Sequence, residues 1–134
     1  MTALTEQVGG DHYRKMAIQP VQFAHANGYD PCTFSILKYV SRHREKGGVQ
    51  DLRKAAHFVR LRSDLTRVYG RVRFHAHSAA PTIQDYIEKN VIPIREASTL
   101  RMNHWWGTAP DQAATKDITF MLAQLCTEIY GESL

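Results

Sequence analysis

Asp30-Pro31-Cys32-Thr33-Phe34-Ser35-Ile36-Leu37-Lys38-Tyr39-Val40-Ser41-Arg42-His43-Arg44-Glu45-Lys46-Gly47-Gly48-Val49-Gln50-Asp51-Leu52-Arg53-Lys54-Ala55-Ala56 reads as two helices on either side of a glycine turn. Asp30 has the short acidic side chain that accepts from the free amides of a first helical turn, and Pro31 loses nothing where its missing N–H has no helical partner. Phe34, Ile36, Leu37 and Val40 give the first helix a buried side. Lys38 and Arg42 lie four apart and therefore share a face. Gly47-Gly48 is the stop signal. Asp51 falls in the first turn of the next helix, where the positive end of the helix dipole favours an acid. That helix runs to about Val68, with Leu52, Ala55, Ala56, Val59 and Leu65 near helical spacing. So short a link makes the two helices an antiparallel hairpin, and Ala55 and Ala56 allow close approach.

Outward from this hairpin, Pro20 opens a short helix with Val21, Phe23 and Ala24 on its apolar side, ending at Asn27-Gly28. The polar first 17 residues read as an arm carrying His12 and Tyr13. Gly70 to Pro81 has no periodicity and reads as a linker. Beyond it the pattern echoes at an offset of 63, with Phe23 facing Tyr86, Asn27 facing Asn90, and Ser35, Leu37 and Lys38 facing Ser98, Leu100 and Arg101. One deletion later, Lys54 and Phe58 face Lys116 and Phe120. The expected fold is all-α, a bundle of about six helices in two related three-helix units. The arm and first unit span residues 1–70, and the linker and divergent second unit span 71–134, packed as one compact domain. The second glycine turn is expected at Gly107-Thr108-Ala109-Pro110, with Asp111 opening the last helix. Trp105-Trp106 replaces Arg42-His43 in the echo, so the second unit is expected to have exchanged its cations for packing. Adjacent helical residues point about 100° apart, which sends one indole to the core and the other to the surface, where it would face a second copy in a homo-oligomer.

Composition sets the broad class. A chain of 134 residues with 43% hydrophobic and 22% charged residues is ordinary globular material. The net charge of +4 is unevenly spread, with nine Lys or Arg against three acids between Arg44 and Arg73. That bias favours an anionic partner, either nucleotide phosphates or nucleic acid. Cys32 and Cys126 are too few for a disulfide framework or a zinc site, and no His-x-x-x-His pair occurs. The first residues lack the basic and apolar regions of a secretory signal, and no apolar run approaches the roughly 18 residues of a membrane span. A cytoplasmic protein without a membrane partner is expected.

Gly9-Gly10-Asp11-His12-Tyr13, then Ile18-Gln19-Pro20, then Ile36 through Ala55 occur in an order that resembles a family of small, mostly helical phage domains. The family is called nucleotide-kinase-like after a member from T-odd phages that phosphorylates deoxynucleoside monophosphates. The resemblance spans roughly residues 9 to 65. It implies nucleotide handling in the host cytoplasm during infection, with phosphoryl transfer from ATP to a deoxynucleoside monophosphate and magnesium bridging the donor phosphates. No Gly-x-x-x-x-Gly-Lys-Ser/Thr or Gly-x-Gly-x-x-Gly loop is present, which excludes kinases of the P-loop and protein-kinase types. Discrete side chains must then hold any phosphate.

Lys38 and Arg42 are the first candidates, an ammonium and a guanidinium one turn apart that could share a phosphate. Lys46 and Lys54 extend the patch on either side of the glycine turn. Asp51 could hold magnesium, or only cap its helix and pair with Lys54. His12 could bond a phosphate or orient the acceptor, Tyr13 could stack on a base, and Gln19 could read a base edge or cap a turn. Three other classes compete. A non-catalytic binder that sequesters nucleotides or nucleotide immune signals needs the same pocket without a catalytic acid. A nucleic-acid-binding module would use the Arg-rich third helix. A nucleotide pyrophosphatase of the MazG kind is disfavoured, because it needs clustered carboxylates and no Glu-x-x-Glu occurs.

Overall fold

Asp30 caps its helix as its position predicts: Oδ1 accepts from the amides of Cys32 and Thr33, both at 3.0 Å. In the computed structural model, which describes residues 2–109 and 115–134, this helix is α2 (Pro31–Arg42). It follows α1 (Pro20–Asn27) and precedes α3 (Val49–Tyr69), α4 (Ile83–Lys89), α5 (Ile94–Thr108) and α6 (Thr115–Leu125). A wider π turn, Cys126–Tyr130, continues α6. Among the described residues there is no strand, and no helix is long and apolar enough to cross a membrane. Pro110 and Asp111, expected at the second turn, lie outside the described residues.

The fold is a helical bundle. α2 packs on α3, α3 on α6, α6 on α5 and α5 on α2, closing a four-helix ring, while α1 lies against α2 and α4 against α5. Both halves feed one core: Ile36, Leu37, Leu52 and Val59 meet Leu100, Ile118 and Leu122, all fully buried. The two indoles divide as their adjacency predicts. Trp106 is buried and Trp105 stays 44% exposed. The stripe of nine cations is thinner than its composition suggests, because Arg62 lies inside. Its guanidinium stacks 4.0 Å from the Trp106 ring and donates to Thr33 at 3.0 Å and Asn103 at 2.6 Å, tying α3 to α2 and α5. Burial pulls its pKa down to about 10.

Contacts between the halves are reciprocal. Asn27 Nδ2 donates to the Pro81 carbonyl at 3.1 Å, and Asn90 Nδ2 donates to the Ile18 carbonyl at 2.8 Å, so each residue of one Asn pair binds two residues ahead of the other unit's first helix. Phe23 and Tyr86, equivalent at the offset of 63, touch each other with centroids 5.0 Å apart. The linker lies against the end of α1, where the His77 amide donates to the Ala26 carbonyl at 2.8 Å. Gly28 allows this approach, having φ +69° and a Cβ position that would meet the His75 carbonyl at 2.8 Å.

Two boundaries differ from the sequence reading. Gly107 and Thr108, expected in the second turn, lie inside α5, where the missing side chain of Gly107 makes room for the Phe74 ring. α2 ends at Arg42, not at the glycines, and residues 43–48 form a turn in which the amides of Glu45 and Lys46 both donate to the Arg42 carbonyl at 3.0 Å. The early ending carries His43 into the core, where it is 1% exposed.

Candidate functional site

The arm, the end of α2 with its turn, and the α4–α5 connection enclose a cleft of about 760 Å³. Arg42 organises one side. Its Nε and Nη2 donate to Asp51 Oδ2 and Oδ1 at 3.0 and 3.2 Å, and Nη1 donates to the Tyr13 hydroxyl at 3.2 Å. Asp51 is fully buried and also accepts from the Gly47 amide at 3.1 Å. A Cβ on residue 47 would fall on this carboxylate, so glycine is required there by closeness. Asp51 thus closes the α2–α3 turn, with Arg42 rather than Lys54 as its ion-pair partner. Burial works against the Arg42 charge, but the bonds to Asp51 and Tyr13 outweigh it and raise the guanidinium above its usual range. Burial pushes the Tyr13 phenol up, opposed by Arg42.

His12 lines the cleft beside this group. Gln7 Oε1 accepts from the Tyr13 amide at 2.7 Å, so the amide end of Gln7 faces His12 Nδ1 at 2.9 Å. Nδ1 therefore accepts, and the neutral ring carries its proton on Nε2. That N–H is buried and has no partner. Burial, then the nearby charges of Lys46 and Arg42, hold the imidazole below its ordinary pKa.

The far wall was invisible in the sequence reading. Glu96 of α5, 2% exposed, accepts from His43 Nε2 at 2.9 Å and from Arg44 Nε and Nη2 at 2.5 and 3.3 Å. Burial opposes its charge, yet the bonds from His43 and Arg44 hold its pKa down to about 2. Since Glu96 is the acceptor, His43 carries a proton on Nε2; its Nδ1 pairs with the Tyr130 hydroxyl at 2.7 Å, and that hydroxyl also lies 3.3 Å from the His43 carbonyl, to which it can donate. This chain runs from the C-terminal π turn to the cleft. Nothing local announces it, because Glu96 and Tyr130 lie 53 and 87 residues from His43.

The candidate residues divide between two places. His12, Arg42 and Lys46 meet at the cleft, with Tyr13 and Asp51 behind Arg42. Lys38 and Lys54 do not line it; both lie over Tyr39 instead, with Nζ 4.6 and 5.5 Å from the ring centroid. Gln19 also lies outside, donating to the Leu4 carbonyl and so fastening the arm. Lys89, from the second half, joins Lys46 at the cleft. Among the described residues no three His, Cys, Asp or Glu side chains are grouped as metal ligands.

Residues 8–60 match a family model described as a protein of unknown function, DUF3310. The matched segment carries the arm, α1, α2, the turn and the first half of α3, but neither Lys89 nor Glu96. No curated protein and no solved structure matches the chain.

Proposed function

We propose that the cleft binds a nucleotide and retains it unchanged, with the phosphate between Lys46 and Lys89 beside His12, whose buried Nε2–H a small turn of the ring opens to it. The observation that carries this reading is how the site's charges are matched. Lys15 faces Asp11 at 3.0 Å, Arg42 faces Asp51 and Arg44 faces Glu96, whereas Lys46 and Lys89 meet no carboxylate among the described residues. Two ammonium groups without an ion pair outnumber the one such carboxylate of the lining, Glu45, and with the unpartnered N–H of His12 they leave the cavity a seat for an anion. Met16, Val40, Val91 and Ile92 supply an apolar wall for a base. The volume falls within the ~300–1,000 Å³ of ordinary small-molecule sites.

Transfer of phosphate from ATP, the activity implied by the family resemblance, asks more. It needs grouped carboxylates free to hold magnesium; Asp51 is buried with both oxygens bonded to Arg42 and the Gly47 amide, and Glu45, the exposed acid of the cleft lining, stands without a second free carboxylate beside it among the described residues. Binding without transfer is therefore the form of nucleotide handling that the geometry favours. Calorimetric titration with deoxynucleoside monophosphates, comparing the parent with Lys46→Ala/Lys89→Ala, tests the site: the double variant should bind at least tenfold more weakly. Incubation with ATP and magnesium followed by mass spectrometry tests the chemistry. Recovery of the monophosphate unchanged is expected, and appearance of the diphosphate would establish transfer instead.

A further inference from the structure

Beside the cleft, and sharing Arg42 with it, α2 and α3 gather cations around one aromatic ring. Lys38 Nζ lies 4.6 Å, the Arg42 guanidinium 4.7 Å and Lys54 Nζ 5.5 Å from the centroid of Tyr39. Asp51 answers only Arg42; among the described residues no carboxylate lies within ion-pair distance of Lys38 or Lys54. Like charges repel, and among the described residues no ion pair neutralises these two. The ring beneath them continues an aromatic row: Tyr39 stacks on Phe58 with centroids 6.0 Å apart and planes 21° apart, and His57 meets Phe58 edge-on at 5.7 Å. Lys54, His57 and Arg60 are exposed at three-residue steps along α3, so the charge follows the helix as a stripe.

We propose that this face binds single-stranded nucleic acid, with phosphodiesters on Lys38 and Lys54 and bases stacked along Tyr39, Phe58 and His57. Cations alone would suit any polyanion. Cations interleaved with aromatic rings suit a strand whose base faces are free, because each base offers a π-face and each linkage a charge. A duplex hides those faces, and a mononucleotide needs an enclosure that this open surface lacks. Arg42, fixed by Asp51 and Tyr13, keeps its place over Tyr39, so bases stack on the part of the row it leaves open; the lysines do not block it. An exposed ammonium on a flexible four-carbon stem leaves an aromatic face for a phosphate at small cost, and a stacked base holds the ring more strongly than the ammonium does.

Fluorescence anisotropy of a labelled oligothymidylate of about 20 nucleotides tests this, long enough to span one such face. The full chain should bind in a salt-dependent manner. Lys38→Ala/Lys54→Ala should weaken binding at least tenfold at low salt and flatten the slope of log K against log salt by about 1.4, two contacts at about 0.7 each. The same variant should bind deoxynucleoside monophosphate as the parent does, and Lys46→Ala/Lys89→Ala should bind the strand as the parent does, so the fate of the cleft and of this face are read separately. Circular dichroism confirms that each variant is folded. The proposal is overturned if the parent does not bind, if a duplex of equal length binds as tightly, if polyglutamate displaces the strand at equal charge, or if the cleft variant loses strand binding as the surface variant does.

Discussion

Arg42 stands out in the sequence by its place on a cationic helix face, but what it does in the fold depends on Asp51, nine residues away and across a turn. The sequence placed Asp51 correctly in a first helical turn; that its carboxylate would be fully buried beneath Arg42 follows only from how the turn folds. Removing one member of such a pair leaves the other's charge without its partner, so Asp51→Ala should destabilise the chain by about 3 kcal/mol in urea unfolding. Gly47→Ala should also destabilise, because the added methyl must displace the same carboxylate. Glu96 was hidden for a different reason. In the first turn of α5 it reads as an acid placed for the helix dipole, which accounts for it completely without a partner. Its pKa lies at about 2 against an ordinary 4.5, so its stabilisation is complete above pH 4.5 and is lost as pH falls towards 2. That difference corresponds to roughly 3 kcal/mol. Unfolding free energies of the parent should decline across this window, and those of Glu96→Gln should start lower and decline less.

Among elements, α1, α2 and α3 begin where the sequence predicts, because their signals are local: Pro20, the Asp30-Pro31 cap and the hydrophobic spacing after Gly48. Asp30→Ala should cost about 1 kcal/mol, lowering the melting temperature by roughly 3–5 °C. The end of α2 was misread because Gly47-Gly48 looks like a stop, whereas the helix yields at Arg42 to send His43 towards Glu96 and Tyr130. A turn serving partners so distant in sequence leaves no local signature. The join between the halves rests on the Asn side chains. Asn90 both accepts from the Ile18 amide at 3.0 Å and donates to its carbonyl at 2.8 Å. Asn90→Ala strands both groups and should cost about 1–3 kcal/mol by thermal or urea unfolding.

The whole molecule is a ring of four helices whose cleft lies between its halves, with the arm and α2 on one side and the α4–α5 connection on the other. The all-helical class and the single core were readable from periodicity, but the cleft was not, since Lys89 and Glu96 come from the half whose cations were read as lost. Trp105, 44% exposed near the end of α5, remains the residue on which association of two copies is expected to rest. Light scattering at micromolar concentration should give a dimer mass, and Trp105→Ala should shift it towards the monomer. The central claim, a phosphate seated beside His12, is tested most directly by NMR titration of the His12 ring with and without a deoxynucleoside monophosphate. In the free protein burial and the charges of Lys46 and Arg42 hold its pKa below 6.5. A bound phosphate accepting from Nε2–H favours the imidazolium, so the account predicts that saturation raises the His12 pKa and that affinity grows as pH falls through this range. A His12 pKa and ring shifts unchanged at saturating nucleotide would contradict it.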